Sequence, residues 1–351
     1  MIPVVDLKRS LARHEAAYLE AVRRVMRSGT LLLGPELTAF ETEAASTLGE
    51  GLVVGVSSGA AAIQLALEAI GIGAGDEVIV PAFTAVPTVS AVSATGAVPV
   101  PVDVEPDTAT IDSRRVGEAI TGRTKAIVPV HLYGRPVDLT PLAEFGIPIV
   151  EDAAQAHGAT GSNTASVATA YSFYPTKNLG GIGDGGAVGT NDQALADAVR
   201  RRRTHGMTEQ YVHVDVSQNF RMSELEAAWL RLQLVELEAA TRRRREIARH
   251  FREVAPQLRW QTDHADHVFH LCVARMSDRD AARAELEGAG VGTAVHYPLA
   301  ITQQPAYRDL DGPACPEAER WADECVSVPC FPDLTDAEVD TVGQALSRVA
   351  P

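Results

Sequence analysis

The chain has 351 residues, 46% hydrophobic and 22% charged, ordinary values for a globular protein with material for one large and one smaller domain. A formal net charge of −15 argues against nucleic acid as a partner, because neutralising phosphates takes a basic face, and it disfavours docking onto anionic membranes. The four cysteines, Cys272, Cys315, Cys325 and Cys330, show no CxxC spacing, so reduced thiols are expected instead of a disulfide framework or a zinc site.

The first residues lack a basic segment followed by an apolar core, and no uncharged apolar run reaches membrane-spanning length, so a cytoplasmic location is expected. Helices are predicted over 11–27 and 35–48, the second with Pro35 in its first turn and Gly49 at its end. A strand at 53–57 leads through Ser57-Ser58-Gly59 into an Ala/Leu-rich helix over 60–70. Short β-rich runs at 77–80, 98–103, 126–129, 147–151, 168–173 and 186–189 then alternate with helical stretches. That alternation predicts an α/β fold whose sheet is mostly parallel and covered on both faces. One long helix is expected over 223–254, carrying the chain out of the large domain. The remainder, with elements at 267–274, 280–288, 292–297 and 335–349, reads as a small α+β domain, which divides the chain into 1–235 and 236–351. Arg200–Arg203 and Arg242–Arg245 read as solvated helix faces. His264, His267 and His270 would not converge from an extended stretch, so no metal is expected.

The chemistry concentrates around Lys177. Five of the last seven residues of Ser172-Phe-Tyr-Pro-Thr-Lys177-Asn-Leu-Gly-Gly-Ile-Gly-Asp-Gly-Gly186 are glycine, which lets the backbone turn tightly and approach a ligand. Upstream, Ile149-Val-Glu-Asp152-Ala-Ala-Gln155-Ala-His157 reads as a buried strand ending in a carboxylate, an amide and an imidazole. A lysine amine, a buried carboxylate and a phosphate cradle are what pyridoxal phosphate requires: a Schiff-base partner, and an acid that keeps the ring nitrogen protonated. The cradle is sought at Ser58-Gly59-Ala60, where a helix N-terminus offers free N–H groups, and at the hydroxyl of Ser172. Ser58 also reads as a simple N-cap, and the two roles are compatible.

At these residues the chain resembles the pyridoxal-phosphate-dependent sugar-nucleotide aminotransferases of the DegT/DnrJ/EryC1/StrS type. The resemblance extends over Gly34-Pro-Glu36, Gly73-Ala-Gly-Asp-Glu-Val78, Thr124-Lys-Ala-Ile127, Pro129-Val-His-Leu-Tyr-Gly134, Glu151-Asp-Ala-Ala-Gln155, the Lys177 loop, Asn219-Phe-Arg-Met222 and His296-Tyr-Pro298. It implies the type I aminotransferase fold, Lys177 as the cofactor's partner and proton carrier, Asp152 at the ring nitrogen, Gln155 beside the phenolic oxygen, and His157, His296 and Tyr297 toward substrate. It also implies a homodimer with composite sites, in which Asn219 reaches the cofactor phosphate of the neighbouring subunit. Three positions depart from the family. Ala60 stands where relatives commonly carry Thr. Ala85 replaces the aromatic that stacks on the cofactor, so Phe83 reads either as its substitute or as core. Ala300-Ile-Thr302 stands where relatives tend to carry Pro-Leu-His.

The implied reaction takes an amine from L-glutamate to a nucleotide-linked keto-deoxysugar, with pyridoxamine phosphate as the intermediate cofactor form. Within the family, Gly-Asp-Gly-Gly after the lysine accompanies C3 amination and Gly-Glu-Gly-Gly accompanies C4. Gly183-Asp184-Gly-Gly186 therefore points to a dTDP-3-keto-6-deoxyhexose. Amination at C4, amination of a keto-cyclitol, and a cofactor-binding regulator without catalysis stay open as alternatives.

Overall fold

The computed structural model describes residues 1–159, 165–310 and 312–350. The central strands are β1 (Leu52–Val56), β2 (Glu77–Pro81), β3 (Val98–Val102), β4 (Thr124–Ile127), β5 (Val150–Asp152), β6 (Ala168–Ser172) and β7 (Gly186–Thr190). They order as β1-β7-β6-β5 and β3-β2-β4. Parallel bridges at Ile127–Ile149 and Val130–Asp152 set β4 beside β5, joining the two groups edge to edge. Pairing is parallel between β2 and β3, β2 and β4, and β5 and β6, whereas β7 runs antiparallel to both β1 and β6. It follows that β1, β5 and β6 all point the same way.

The helices on this sheet are α1 (Leu7–Ser28), α2 (Pro35–Leu48), α3 (Gly59–Ala69), α4 (Val86–Ala94), α5 (Ser113–Ala119), α6 (Thr140–Ala143), α7 (Gln193–Arg202) and α8 (Glu224–Leu234). Strand alternation sends neighbouring side chains to opposite faces. Val54 and Val56 join Leu65, Val89 and Val199 in one core cluster, while Val53 packs with Phe40, Trp229 and Leu230 in another. The N-terminus of α2 is capped from a distance: the Glu224 carboxylate accepts the N–H groups of Gly34 (2.9 Å), Glu36 (2.8 Å) and Leu37 (3.1 Å).

The expected single helix over 223–254 is two helices, α8 and α9 (Leu237–Val254). Ser223 caps the start as expected, its hydroxyl accepting the Glu226 N–H at 3.1 Å. The break falls at Val235 and Glu236, where Val235 is 86% exposed. Each half can then bury its own apolar stripe, α8 under the main sheet and α9 through Ile247 and Phe251 in a separate cluster.

Between α7 and α8 lies a hairpin of β8 (Met207–Glu209) and β9 (Val212–His213), and beyond α9 comes a second sheet of β10 (Arg259–Trp260), β11 (Cys272–Arg275) and β12 (Cys325–Val328). It is packed by α10 (Arg279–Gly288), α11 (Pro316–Glu324) and α12 (Asp336–Leu346). The strand expected over 267–274 shrinks to β11. The preceding residues are pulled away to the Tyr133–Gly134 turn, where the N–H groups of Val268 and Leu271 bond the carbonyls of Gly134 (3.0 Å) and Tyr133 (3.2 Å). The element expected over 292–297 is a single bridge, Ala294 to Ser327.

Candidate active site

Because β1, β5 and β6 point one way, their C-terminal ends deliver three features to one edge of the sheet: the start of α3, Asp152 and Ser172. Ligands of open α/β sheets bind at such an edge. Lys177 sits in the turn after β6. Its N–H bonds the Tyr174 carbonyl at 2.8 Å, and the Gly181 N–H bonds the Phe173 carbonyl at 2.7 Å. A Cβ on Gly181 would lie 1.7 Å from Glu226 Oε1 and 2.7 Å from the Phe173 carbonyl oxygen, so no larger residue fits without displacing the loop. Burial lowers the Lys177 ammonium to about 8, with the negative charge of Asp152 pulling the other way.

Asp152 is buried and held at both oxygens, Oδ2 by the Thr88 hydroxyl (2.7 Å) and Oδ1 by the Ala154 N–H (3.0 Å). Thr88 is braced by Thr84 at 3.1 Å. Behind Asp152, the His131 Nδ1 accepts the Val137 N–H at 3.0 Å. Nε2 therefore carries the ring proton and donates it to Glu151 at 2.8 Å.

The phosphate candidates come together. The Ser58 hydroxyl accepts the Ala61 N–H at 3.1 Å, leaving the N–H groups of Gly59 and Ala60 without intrahelical partners. Ser172 closes over them: a Cβ on Gly59 would lie 2.5 Å from Ser172 Cβ and 3.1 Å from its Oγ. An anion-sized cradle, a pinned carboxylate and a lysine of lowered proton affinity on one edge fit pyridoxal phosphate.

Lys177 lines a cavity of about 330 Å³ together with Thr176, Arg244, His270, His296 and Tyr297. His296 Nδ1 lies 2.9 Å from the Ser327 hydroxyl, and burial, with the Lys177 charge second, pushes its ring down to about 4. The Tyr297 hydroxyl accepts from Gln155 Nε2 at 3.2 Å, and burial raises its proton affinity. Gln155 Oε1 accepts the Tyr133 N–H at 2.8 Å, so Gln155 ties the strand-end turn to the cavity wall.

Three expectations change. Phe83 is fully buried, its ring stacked on Trp321 (6.1 Å, 27°) and flanked by Tyr133 and Tyr297, which makes it a core side chain with no free face for stacking. His157 is also fully buried, its ring 5.7 Å from both Tyr171 and Phe173, so it presents nothing to a substrate. Burial, reinforced by Lys177, lowers this imidazole to about 3, and neither ring nitrogen finds a partner among the described residues. Arg244, read as solvated, is buried.

Asn219 is not brought to Lys177. It is exposed, pairs with Thr204, and its Oδ1 accepts from Arg221 N (3.3 Å) and Nε (2.9 Å). Among the described residues no three metal-ligating side chains cluster. Sequence reasoning assigned no part to Thr88, Tyr133, Glu226, Arg244 or a cavity-lining His270. Thr84 and Thr88, one helical turn apart and following a strand end, were the readable sign of the first.

The architecture and this edge define a type I aminotransferase. The chain belongs to the DegT/DnrJ/EryC1/StrS aminotransferase family, whose model matches residues 13–347. Its family is pyridoxal-phosphate-dependent, and the chain is an aminotransferase. It is 43% identical to the erythromycin biosynthesis sensory transduction protein EryC1 of Saccharopolyspora erythraea, covering 97% of each chain. It is 42% identical to the dTDP-3-amino-3,4,6-trideoxy-alpha-D-glucose transaminase of Streptomyces venezuelae, covering 99% of this chain and 97% of the relative. Its fold superposes on the crystal structure of S. venezuelae DesV in complex with a ketimine intermediate at a TM-score of 0.94, with 41% identity over 99% of this chain and 97% of that one. No helix among the described residues is long and apolar enough to cross a membrane.

Proposed function

We propose that this chain transfers an amino group from L-glutamate to a nucleotide-linked 3-keto-6-deoxyhexose, in the cytoplasm, as a homodimer with composite sites. The observation that carries the reading is the convergence of Lys177, Asp152 and the start of α3 on one sheet edge. Bound pyridoxal phosphate supplies an electron sink for the amine-bearing carbon. Lys177 would hold its aldehyde carbon, Asp152 its ring nitrogen, and Gly59, Ala60, Ser58 and Ser172 its phosphate, with Asn219 contributed from the second subunit. With its ammonium at about 8, Lys177 Nζ is partly neutral near pH 7 and can both take and return a proton at the reacting carbon. Thr88 and the Ala154 N–H fix Asp152 as an acceptor, and Gln155 positions Tyr297 in the cavity wall. Residues 1–235 would form the cofactor domain and 236–351 the smaller one.

The sugar class is supported by the transaminase named above and by Gly183-Asp184-Gly-Gly186. The regulator reading has in its favour that EryC1 is named a sensory transduction protein, but Lys177 and Asp152 are both in place here. The test offers purified enzyme the 3-keto and 4-keto isomers of a dTDP-6-deoxyhexose with glutamate and locates the new amine by NMR. Amination at C3 is expected. An amine found only at C4 overturns the regiochemistry, and no bleaching of the yellow protein by glutamate overturns the glutamate-dependent reading.

A further inference from the structure

The other buried arginine among the described residues is answered by an acid: Arg275 is 2% exposed and pairs with Glu324 at 2.8 Å, and the half-buried Arg203 likewise pairs with Glu41 at 2.6 Å. Arg244 breaks the pattern. It is 6% exposed, yet among the described residues no carboxylate lies within ion-pair distance of it. One of its terminal nitrogens bonds the carbonyls of Phe269 (3.3 Å), His270 (3.5 Å) and Cys330, and its Nε has no partner. The charge of Asp333 is felt, but Asp333 is engaged by Arg13 at 3.0 Å. An unpaired buried cation is costly unless a ligand supplies the missing charge.

The surroundings say where that ligand enters. Arg244 and Lys177 both line the cavity of about 330 Å³, and no Asp or Glu lines it with them. His270 lines the same cavity, is 8% exposed, and its Nδ1 has no partner. The charges of Lys177 and Arg244 both reach this imidazole, and with burial they keep it neutral. A neutral ring can donate one hydrogen bond to an anion without adding a third positive charge. A neighbouring cavity of about 240 Å³ is lined by Lys177 and Arg244 too, but it carries Asp6, Glu236 and Asp333, with Arg13 already paired to the latter two, so an anion is repelled there and not in the first cavity.

We infer that Arg244 and His270 form the carboxylate subsite for the amino donor. An α-amino acid carries its amine and its carboxylate on one carbon. When the amine approaches Lys177, the carboxylate must fall within the same small cavity. The diphosphate of a sugar nucleotide is separated from the keto carbon by the hexose ring, which suits it less well to a cation sharing a wall with Lys177. The desolvated guanidinium then forms a charge-assisted hydrogen bond stronger than an exposed one.

The inference rests on glutamate as donor, and the experiment separates the two. Glutarate, a dicarboxylate without an amine, and thymidine diphosphate are titrated calorimetrically into the full-length protein as purified, alongside its Arg244→Gln and His270→Leu variants. Glutarate affinity is expected to fall at least about 30-fold in Arg244→Gln and about fivefold or more in His270→Leu, with thymidine diphosphate affinity held within about twofold. His270→Leu breaks no side-chain hydrogen bond among the described residues, so it decides the matter if Arg244→Gln does not fold. Absence of saturable glutarate binding to the unmodified protein, unchanged glutarate affinity in the folded variants, or selective loss of thymidine diphosphate overturns the subsite. Bleaching of the unmodified protein by glutamate tests the donor reading separately.

Discussion

Glu226→Gln should stabilise the protein at pH 8 and change it little near pH 4.5. The Glu226 carboxyl is 4% exposed beneath the lysine loop. Its Oε2 accepts the Gly183 N–H at 3.0 Å, while Oε1 has no partner among the described residues. Burial is the main cause that pushes its pKa from 4.5 up to about 7, with Asp184 adding to it and the Gly183 and Ile182 N–H groups opposing. The unfolded chain releases this proton near 4.5 and the folded one near 7, so between those values the folded state binds more protons. Stability therefore falls as pH rises through that window and stays reduced above it. At about 1.4 kcal/mol per tenfold change in proton affinity, the full penalty is about 3 kcal/mol at pH 8 and under about 1 kcal/mol at pH 5. Glutamine keeps an acceptor for Gly183 and removes the charge. Urea unfolding followed by circular dichroism at pH 5 and pH 8 measures the effect. A glutamine variant with the same pH slope as the parent, or one less stable at pH 8, would refute the reasoning.

Lys177→Ala is expected to lose the visible absorbance of the bound cofactor and all turnover while keeping its far-ultraviolet spectrum, whereas Asp152→Asn keeps the cofactor and loses turnover about 100-fold or more. Gly59→Ala forces a methyl to 2.5 Å from Ser172 Cβ, so cofactor dissociation should quicken at least about tenfold, read by dialysis against buffer. For the composite site, mixing Lys177→Ala and Asn219→Ala subunits should restore about a quarter of full activity, since half the dimers are mixed and one of their two sites is intact. No recovery after demonstrated subunit exchange would remove Asn219 from the partner's site.

Much of the core fold was readable because its signals are local. Pro35 and Gly49 bracket α2 as expected, and the alternating β-rich runs fall within a few residues of the observed strands. What escaped depends on neighbours distant in the chain. The apolar stripe of 223–254 shows no proline or glycine, so nothing local marks the break at Val235; two separate cores impose it. Residues 267–271 look extended but are recruited by the Tyr133–Gly134 turn. Lys177, Asp152 and the start of α3 were legible because glycine, strand end and cap are sequence features. Phe83 was not, since whether a ring offers a face or is sandwiched depends on Trp321, far along the chain. The burial of Arg244 does have a local sign: it stands three, four and seven residues before Ile247, Ala248 and Phe251, on the inward stripe of α9.

The grips made by α8 have a consequence for how motion travels. Within less than two turns, Glu224 holds the start of α2, Glu226 holds Gly183, and the Trp229 indole N–H holds the Gly180 carbonyl at 2.8 Å. One short rigid rod is thus bolted to a surface loop at one end and to the reactive turn at the other. The loop carries the exposed side chains of Leu31, Leu32 and Leu33, so α8 alone stands between those leucines and the glycine turn that holds Lys177.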